Sequence, residues 1–299
     1  MSDGAGLELP EDADVVVLGD NADVLPRLPD GTFQLVYVDP PFNTGGRRDR
    51  RTLRTTRTDD EGDRTGFGGR RYTSVETGRM GYPDSFADYA GFLAPRLEHA
   101  RRLLTRSGTL YVHLDWREAH YCKVLLDEIF GRECFLNEVI WAYDYGGRPK
   151  DRWPAKHDTI LVYVRERGAH LFDQDQVERI PYLAPRLVSP EKAARGKLPT
   201  DVWWHTIVPT NSREKTGYPT QKPEGVLRRV LLPSSRPGDR VLDFFAGSGT
   251  TGAVAAALGR RFVMVDESPE AVRVMRERLG SGPVYLDATG APLAAPDAG

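Results

Sequence analysis

A doubly wound α/β domain, built on a parallel sheet and carrying a small insert, is the fold this sequence predicts. Short β-branched runs alternate with helical patterns over most of the chain, and that alternation builds parallel sheets. Two of the runs lead straight into turns made of glycine or proline, VLDFFAGSGTTG and VDPPFNTG, which is where open α/β sheets carry their ligands. At 299 residues and 39% hydrophobic composition, the chain suffices for one large core with a modest addition.

The elements follow in order. Val15–Leu18 reads as the first strand, closed by Gly19 and Asp20, with a short helical pattern through Val24, Leu25 and Leu28. Phe33–Val38 is a buried strand stopped by Asp39-Pro40-Pro41, because proline has no N–H to give to a ladder. Residues 46–80 are rich in Arg, Thr and Gly without apolar periodicity, which predicts a solvated loop. Phe86, Tyr89, Phe92, Leu93, Leu97, Ala100, Leu103 and Leu104 recur at helical spacing, with Gly108 as the stop and 109–114 as the next strand. A helix over 118–130 puts Ala119, Cys122, Leu125, Leu126 and Ile129 on one face. Strands over 137–143 and 159–164 come next, while 144–158 and 165–218, rich in Pro, Gly and charge, read as an insert outside the sheet. The last third is the most regular: helix 223–232 opening on Pro223, strand 240–244, helix 250–258, strand 261–265 and helix Pro269–Leu279, with a frayed tail from Gly290.

Composition excludes several classes. No apolar run approaches the roughly 18 residues of a membrane span, and the acidic start lacks a signal-peptide core. Cys122 and Cys134 are too few for a disulfide framework, and no Cys/His cluster has zinc-ligand spacing, so no metal is expected. The expectation is a soluble cytoplasmic protein with buried thiols. A net charge of -2 gives no prior for nucleic acid, yet 34 of the 41 basic residues are Arg. Charge is also segregated: residues 46–71 hold nine Arg against five acids, a distribution that fits nucleic-acid binding better than the total does.

Two motifs carry chemistry. Gly247, Gly249 and Gly252 match G-x-G-x-x-G between a strand and a helix, with Asp266 about 20 residues on, where an acid grips ribose hydroxyls. On its own this turn fits a nicotinamide dinucleotide as well as S-adenosyl-L-methionine (AdoMet). In VDPPFNTG, paired prolines hold the backbone extended, so the Asp39 carboxylate and Pro40 carbonyl can converge on one donor beside the ring of Phe42. Two acceptors and a stacking face suit an exocyclic amino group on a planar base; a plain Asp-Pro-Pro turn is the other reading of the same residues.

VDPPFNTG preceding FAGSGTT resembles the β-class DNA amino-methyltransferases. GTLYVHLD (108–115), NEVIW (137–141), KHDTILVY (156–163), DVWW (201–204) and GYPTQKPEGVL (217–227) resemble family segments in the expected order, so the likeness spans most of the chain. The resemblance implies an AdoMet-dependent methyltransferase sheet. It assigns Asp39, Pro40, Pro41 and Phe42 to a base flipped out of double-stranded DNA, as reaching a stacked amino group requires. Asp243, Phe245, Ala246, Gly247, Ser248, Gly249 and Thr250 would form the AdoMet loop, with Asp266 on the ribose and Lys222 near the methionine carboxylate. The strand after the ribose strand would be the N-terminal one, making the chain a circular permutation and Asp20 the adenine contact; a helix N-cap is the other reading of Asp20.

The resemblance divides the chain into a first catalytic part (1–143), a target-recognition insert (144–216) containing one sheet strand, an AdoMet-binding part (217–289) and a tail (290–299). Arg148, Lys150, Arg152 and Lys156 in the insert would contact DNA, and the Arg run over 47–57 would clamp it. Asp-Pro-Pro-Phe resembles the enzymes acting on N6 of adenine; N4 of cytosine, or DNA binding without turnover, are the alternatives. A homodimer and a cognate restriction enzyme would follow by analogy alone. Phe244 departs from the family, which usually has Pro there. His113 with Asp115, and His157 with Asp158, read as pairs that orient loops.

Overall fold

The computed structural model describes residues 6–57, 64–65, 71–84 and 86–294, with the backbone only over 46–84. In chain order the elements are β1 (Val15–Leu18), α1 (Asn21–Val24), β2 (Phe33–Val38), β3 (Gly46–Arg57), β4 (Arg64–Thr65), β5 (Arg71–Asp84), α2 (Tyr89–Leu103), β6 (Leu104–Leu114) and α3 (Ala119–Phe130). There follow β7 (Phe135–Ala142), β8 (His157–Val164), α4 (Pro190–Arg195), β9 (Val202–Trp204), α5 (Glu224–Ser234), β10 (Arg240–Asp243), α6 (Thr250–Ala257), β11 (Arg261–Asp266), α7 (Pro269–Leu279) and β12 (Val284–Asp287).

Nine strands form one sheet in the order β12-β1-β11-β10-β2-β6-β8-β7-β9. From β12 to β6 every pair is parallel, as helical crossovers require. The all-parallel expectation fails beyond β6, because β8 runs antiparallel to both β6 and β7. No helix separates β7 from β8, so the chain reverses through a loop and pairs as a hairpin does. Helices cover both faces. One core holds Val36, Val38, Leu93, Leu97 and Phe244 with α1, α2 and α3; the other holds Leu35, Tyr37, Val230, Val254 and Met275 with α5, α6 and α7.

The permuted topology is present: β1 lies beside β11, pairing Leu18 with Asp266. β12, which no sequence pattern announces, adds a parallel edge strand outside β1. Three further expectations change. Gly108 does not stop α2; it lies inside β6 near a shift of register against β2. The segment 165–218 is not wholly outside the sheet, because β9 pairs in parallel with β7 and Trp203 is buried. Residues 46–80 are expected as a loop, yet 46–57 and 71–84 form an antiparallel ladder, with 64–65 joining β5. The stretch carries no apolar alternation to announce a strand; 58–63, 66–70 and 85 lie outside the described residues. Among the described residues no helix is long and apolar enough to cross a membrane, and both cysteines are buried and free.

Candidate active site

The parallel register sets the site. β1, β11, β10 and β2 are neighbours pointing the same way, so the acids at their C-terminal ends (Asp20, Asp266, Asp243 and Asp39) stand in a row along one sheet edge. From β10 the chain proceeds through α6 to β11 on one side, and from β2 through α2 to β6 on the other. The junction of β10 and β2 is therefore the topological switch point, where open sheets bind ligands. A cavity of about 310 Å³ opens there, lined by all four acids, the glycine turn, Pro40, Pro41, Phe42 and Lys222.

The glycine turn is built tightly. Gly249 precedes α6 with φ of 70°, and a Cβ on it would lie 2.6 Å from Met275 Cγ, so only glycine fits. At Gly252 a Cβ would sit 3.3 Å from Met264 and Phe262, which lets α6 lie close on β11. Gly247 N–H donates to Asp266 Oδ2 at 2.8 Å and Ser268 N–H to Oδ1 at 2.9 Å, orienting the carboxylate. Asp243 accepts from Thr251 Oγ1 at 2.6 Å and from the Phe245 N–H at 3.0 Å, while Ala246 N–H donates to Val265 O at 3.1 Å. Ser248 and Thr250 hydroxyls are 3.1 Å apart, and Thr250 Oγ1 donates to the Lys222 carbonyl at 3.2 Å. Burial pushes Asp243 up to about 7, helped by the charges of Asp39 and Asp266; burial likewise pushes Asp266 up to about 6.

Across the cavity, Asp39 Oδ2 pairs with Lys222 Nζ, whereas Oδ1 is buried with no hydrogen-bond partner among the described residues. Lys222 Nζ also lies 4.9 Å from the centroid of the Phe42 ring. Asn43 holds the end of the turn: its φ of 53° is one that asparagine tolerates, its side chain donates to Glu118 at 2.8 Å, and it accepts the Phe86 N–H at 2.8 Å. Beneath Phe42 runs a buried polar chain. Tyr37 OH meets His113 Nδ1 at 2.8 Å, His113 Nε2 meets Asp158 Oδ2 at 3.1 Å, and Tyr143 OH donates to Asp158 Oδ1 at 2.9 Å. Burial opposes charge on Asp158, but the His113 hydrogen bond and nearby charge hold its carboxyl below the usual range. His113 therefore pairs with Asp158 and not with Asp115, which binds Arg117 instead, because the antiparallel register sets Leu114 opposite Thr159.

Of the two readings of Asp20, the N-cap is the one the geometry contains. Its carboxylate caps α1 through Ala22 N–H at 2.8 Å and takes Arg96 at 3.2 Å, while still facing the cavity. The basic residues of the β7–β8 connection stand apart from the cavity lining. Arg148 and Arg152 pair locally with Asp144 and Asp151, Lys150 is exposed, and Lys156 Nζ donates to the carbonyls of Tyr145 and Gly146, closing its own loop. Sequence reasoning missed the wall supplied by α2 and its lead-in: Phe86 stacks on Phe92 at 4.3 Å, and Arg96 covers Phe92 at 4.0 Å. These positions read as ordinary core spacing. Tyr218, packed against Gly247, was also missed; its place in GYPTQKP was the available signal.

Acids outnumber bases around the cavity, with Asp20, Asp39, Asp243, Asp266 and Glu267 against Arg96 and Lys222. That balance suits a cationic ligand such as AdoMet, whose sulfonium and ammonium exceed its one carboxylate, and opposes the pyrophosphate of a dinucleotide. Fold and site together define an AdoMet-dependent methyltransferase. The chain belongs to the N6/N4 DNA methylase family, whose profile matches residues 33–277. It is 27% identical over 276 residues to the DNA adenine methyltransferase YhdJ of Escherichia coli K12, covering 90% of this chain and 83% of that protein. It is 29% identical over 257 residues to the type II methyltransferase M.HpaI of Haemophilus parainfluenzae, covering 86% of this chain and 71% of that one. Among solved structures, the PvuII cytosine-N4-specific DNA methyltransferase shares the fold at a TM-score of 0.59 and 17% identity, covering 89% and 86% of the two chains. The M1.HpyAVI–SAM complex does so at 0.55 and 18%, covering 89% and 99%. The protein is thus a DNA methyltransferase, of a family that uses AdoMet.

Proposed function

We propose that this enzyme methylates the N6 amino group of adenine, flipped out of double-stranded DNA into the space between Asp39, Phe42 and the glycine turn. One observation carries the reading. Asp39 Oδ1 is a buried carboxylate oxygen without a partner among the described residues. Leaving such an acceptor unsatisfied costs about 1–3 kcal/mol or more, so its retention makes sense where a ligand donor completes it. An exocyclic amino group is such a donor, and Phe42 offers the adjoining face.

When bound, AdoMet supplies the electrophilic methyl carbon. The chain contributes alignment: Asp39 accepts an amino hydrogen and so turns the nitrogen lone pair toward the glycine turn, and Phe42 holds the ring plane. His113, braced by Tyr37 and Asp158, packs 5.9 Å from Phe42 and limits its tilt. In this reading Asp266 takes the ribose hydroxyls of the cofactor and Asp20 its adenine, supported by their positions in the cavity lining. Residues 144–216 read as the recognition segment, with Arg148, Lys150 and Arg152 toward phosphates or bases.

Adenine is favoured by the Asp-Pro-Pro-Phe form of the motif and by the relative named as an adenine methyltransferase. Cytosine N4 is the second reading, since its amino group poses the same problem and one structural neighbour is cytosine-N4-specific. Tritiated AdoMet with unmethylated DNA, followed by nucleoside analysis, tests both. Label is expected in N6-methyladenine, and Asp39→Ala should lower the rate by about 10²–10⁴. Label in N4-methylcytosine would replace adenine with the second reading, and no label in any base would overturn both.

A further inference from the structure

Lys222 sits between two sites. Its carbonyl accepts from Thr250 Oγ1 at 3.2 Å, and Arg278 donates to that same Thr250 hydroxyl at 2.9 Å, so its backbone is tied to the glycine turn. Its ammonium, however, reaches across to Asp39 Oδ2. The two side chains are only 12% and 15% exposed, so this pair is largely withdrawn from water. The cavity's other cation, Arg96, is committed at the far end of the acid row, to Asp20, the Asn21 side chain and the Phe92 carbonyl. A carboxylate entering near the glycine turn therefore meets Lys222, and an amino group received by Asp39 Oδ1 shares that carboxylate with the Lys222 charge on Oδ2, which weakens it as an acceptor.

We propose that Lys222 couples the two ligands: its ammonium passes from Asp39 Oδ2 to the carboxylate of the cofactor's amino-acid tail, which restores the full acceptor strength of the Asp39 carboxylate for the amino group that Oδ1 receives. A largely buried ion pair is costly to break unless another charge replaces the lost one. The tail carboxylate replaces the charge that Lys222 loses and the tail ammonium brings positive charge into the cavity for Asp39, whereas a neutral base amino group replaces neither. The flexible four-carbon stem permits the exchange without moving the tethered backbone. Cofactor binding then precedes acceptance of the base, and Lys222 acts as a positioning residue for Asp39. This rests on reading Asp39 as the base acceptor.

Calorimetric titration with S-adenosylhomocysteine, which has the tail but no sulfonium, tests the exchange without any turnover. Asp39→Asn and Asp39→Ala should bind it about tenfold more tightly than the wild type, because Lys222 no longer has to leave a partner. Methylthioadenosine, which lacks the tail, should bind all three alike. In a Lys222→Met background, Asp39→Asn should bring no gain. Unchanged or weaker binding of S-adenosylhomocysteine by both Asp39 variants would overturn the proposal, as would an equal gain for methylthioadenosine. Failure of the underlying reading looks different: Asp39→Asn would still methylate DNA at the wild-type rate, whatever its affinity for the tail.

Discussion

Asp243 carries the largest pH signature in the cavity row. Burial, with Asp39 and Asp266 nearby, pushes its carboxyl up to about 7. The folded protein thus keeps this proton where the unfolded chain, near 4, has lost it. The associated stabilisation is full below about pH 4 and is lost as pH rises through about 7. Asp266, pushed up to about 6, adds in the same direction. Thermal unfolding of Asp243→Asn should therefore show a smaller loss of stability between pH 5 and 8 than the wild type; parallel curves would contradict this. Gly249→Ala is expected to weaken cofactor binding at least tenfold, measured by calorimetry. Its φ of 70° and the 2.6 Å approach to Met275 would force the turn to shift. Both positions are legible as motif residues in the chain itself. The pairing of His113 with Asp158 is not, since nothing local to either residue says which strand lies opposite.

Among the elements, the ladder of β3 and β5 departs furthest from expectation. Apolar alternation is the signal that reveals a strand, and a ladder held by backbone hydrogen bonds need not carry it. Six Arg lie in β3: Arg47, Arg48, Arg50, Arg51, Arg54 and Arg57. If they meet phosphates, replacing all six with Gln should flatten the dependence of log K on log salt by at most about 5. An unchanged slope in a salt titration of DNA binding would make the ladder a spacer. The Asp-Pro-Pro-Phe turn is readable as a strand end because proline ends ladders for a reason that is purely local. Its fastening through Asn43 to Glu118 and the Phe86 N–H is invisible in the sequence, since those partners come from distant parts of the chain.

Across the whole molecule, four parallel strands from both ends of the chain deliver their acids to one edge, and the cavity becomes net acidic. In a thermal-shift assay AdoMet should raise the unfolding midpoint, by about 2.7 kcal/mol of stabilisation at a hundred times its dissociation constant. NAD should leave the midpoint unchanged; a shift with NAD and none with AdoMet would refute the charge argument.

By itself the sequence determined the runs that become β1, β2, β7, β8, β10, β11 and most of β6, and which acids and glycines stand at the ends of the site-forming strands, because propensity, proline and glycine act within a few residues. It also carried the order of motifs that identifies the family. Only the tertiary structure decided which strands are neighbours: that β1 lies between β12 and β11, and that β8 runs against β6. Those choices depend on burying two faces of one sheet at once, a global condition no local pattern contains. They place Lys222 on Asp39, 183 residues apart in the chain, and so join the cofactor turn to the base-binding turn.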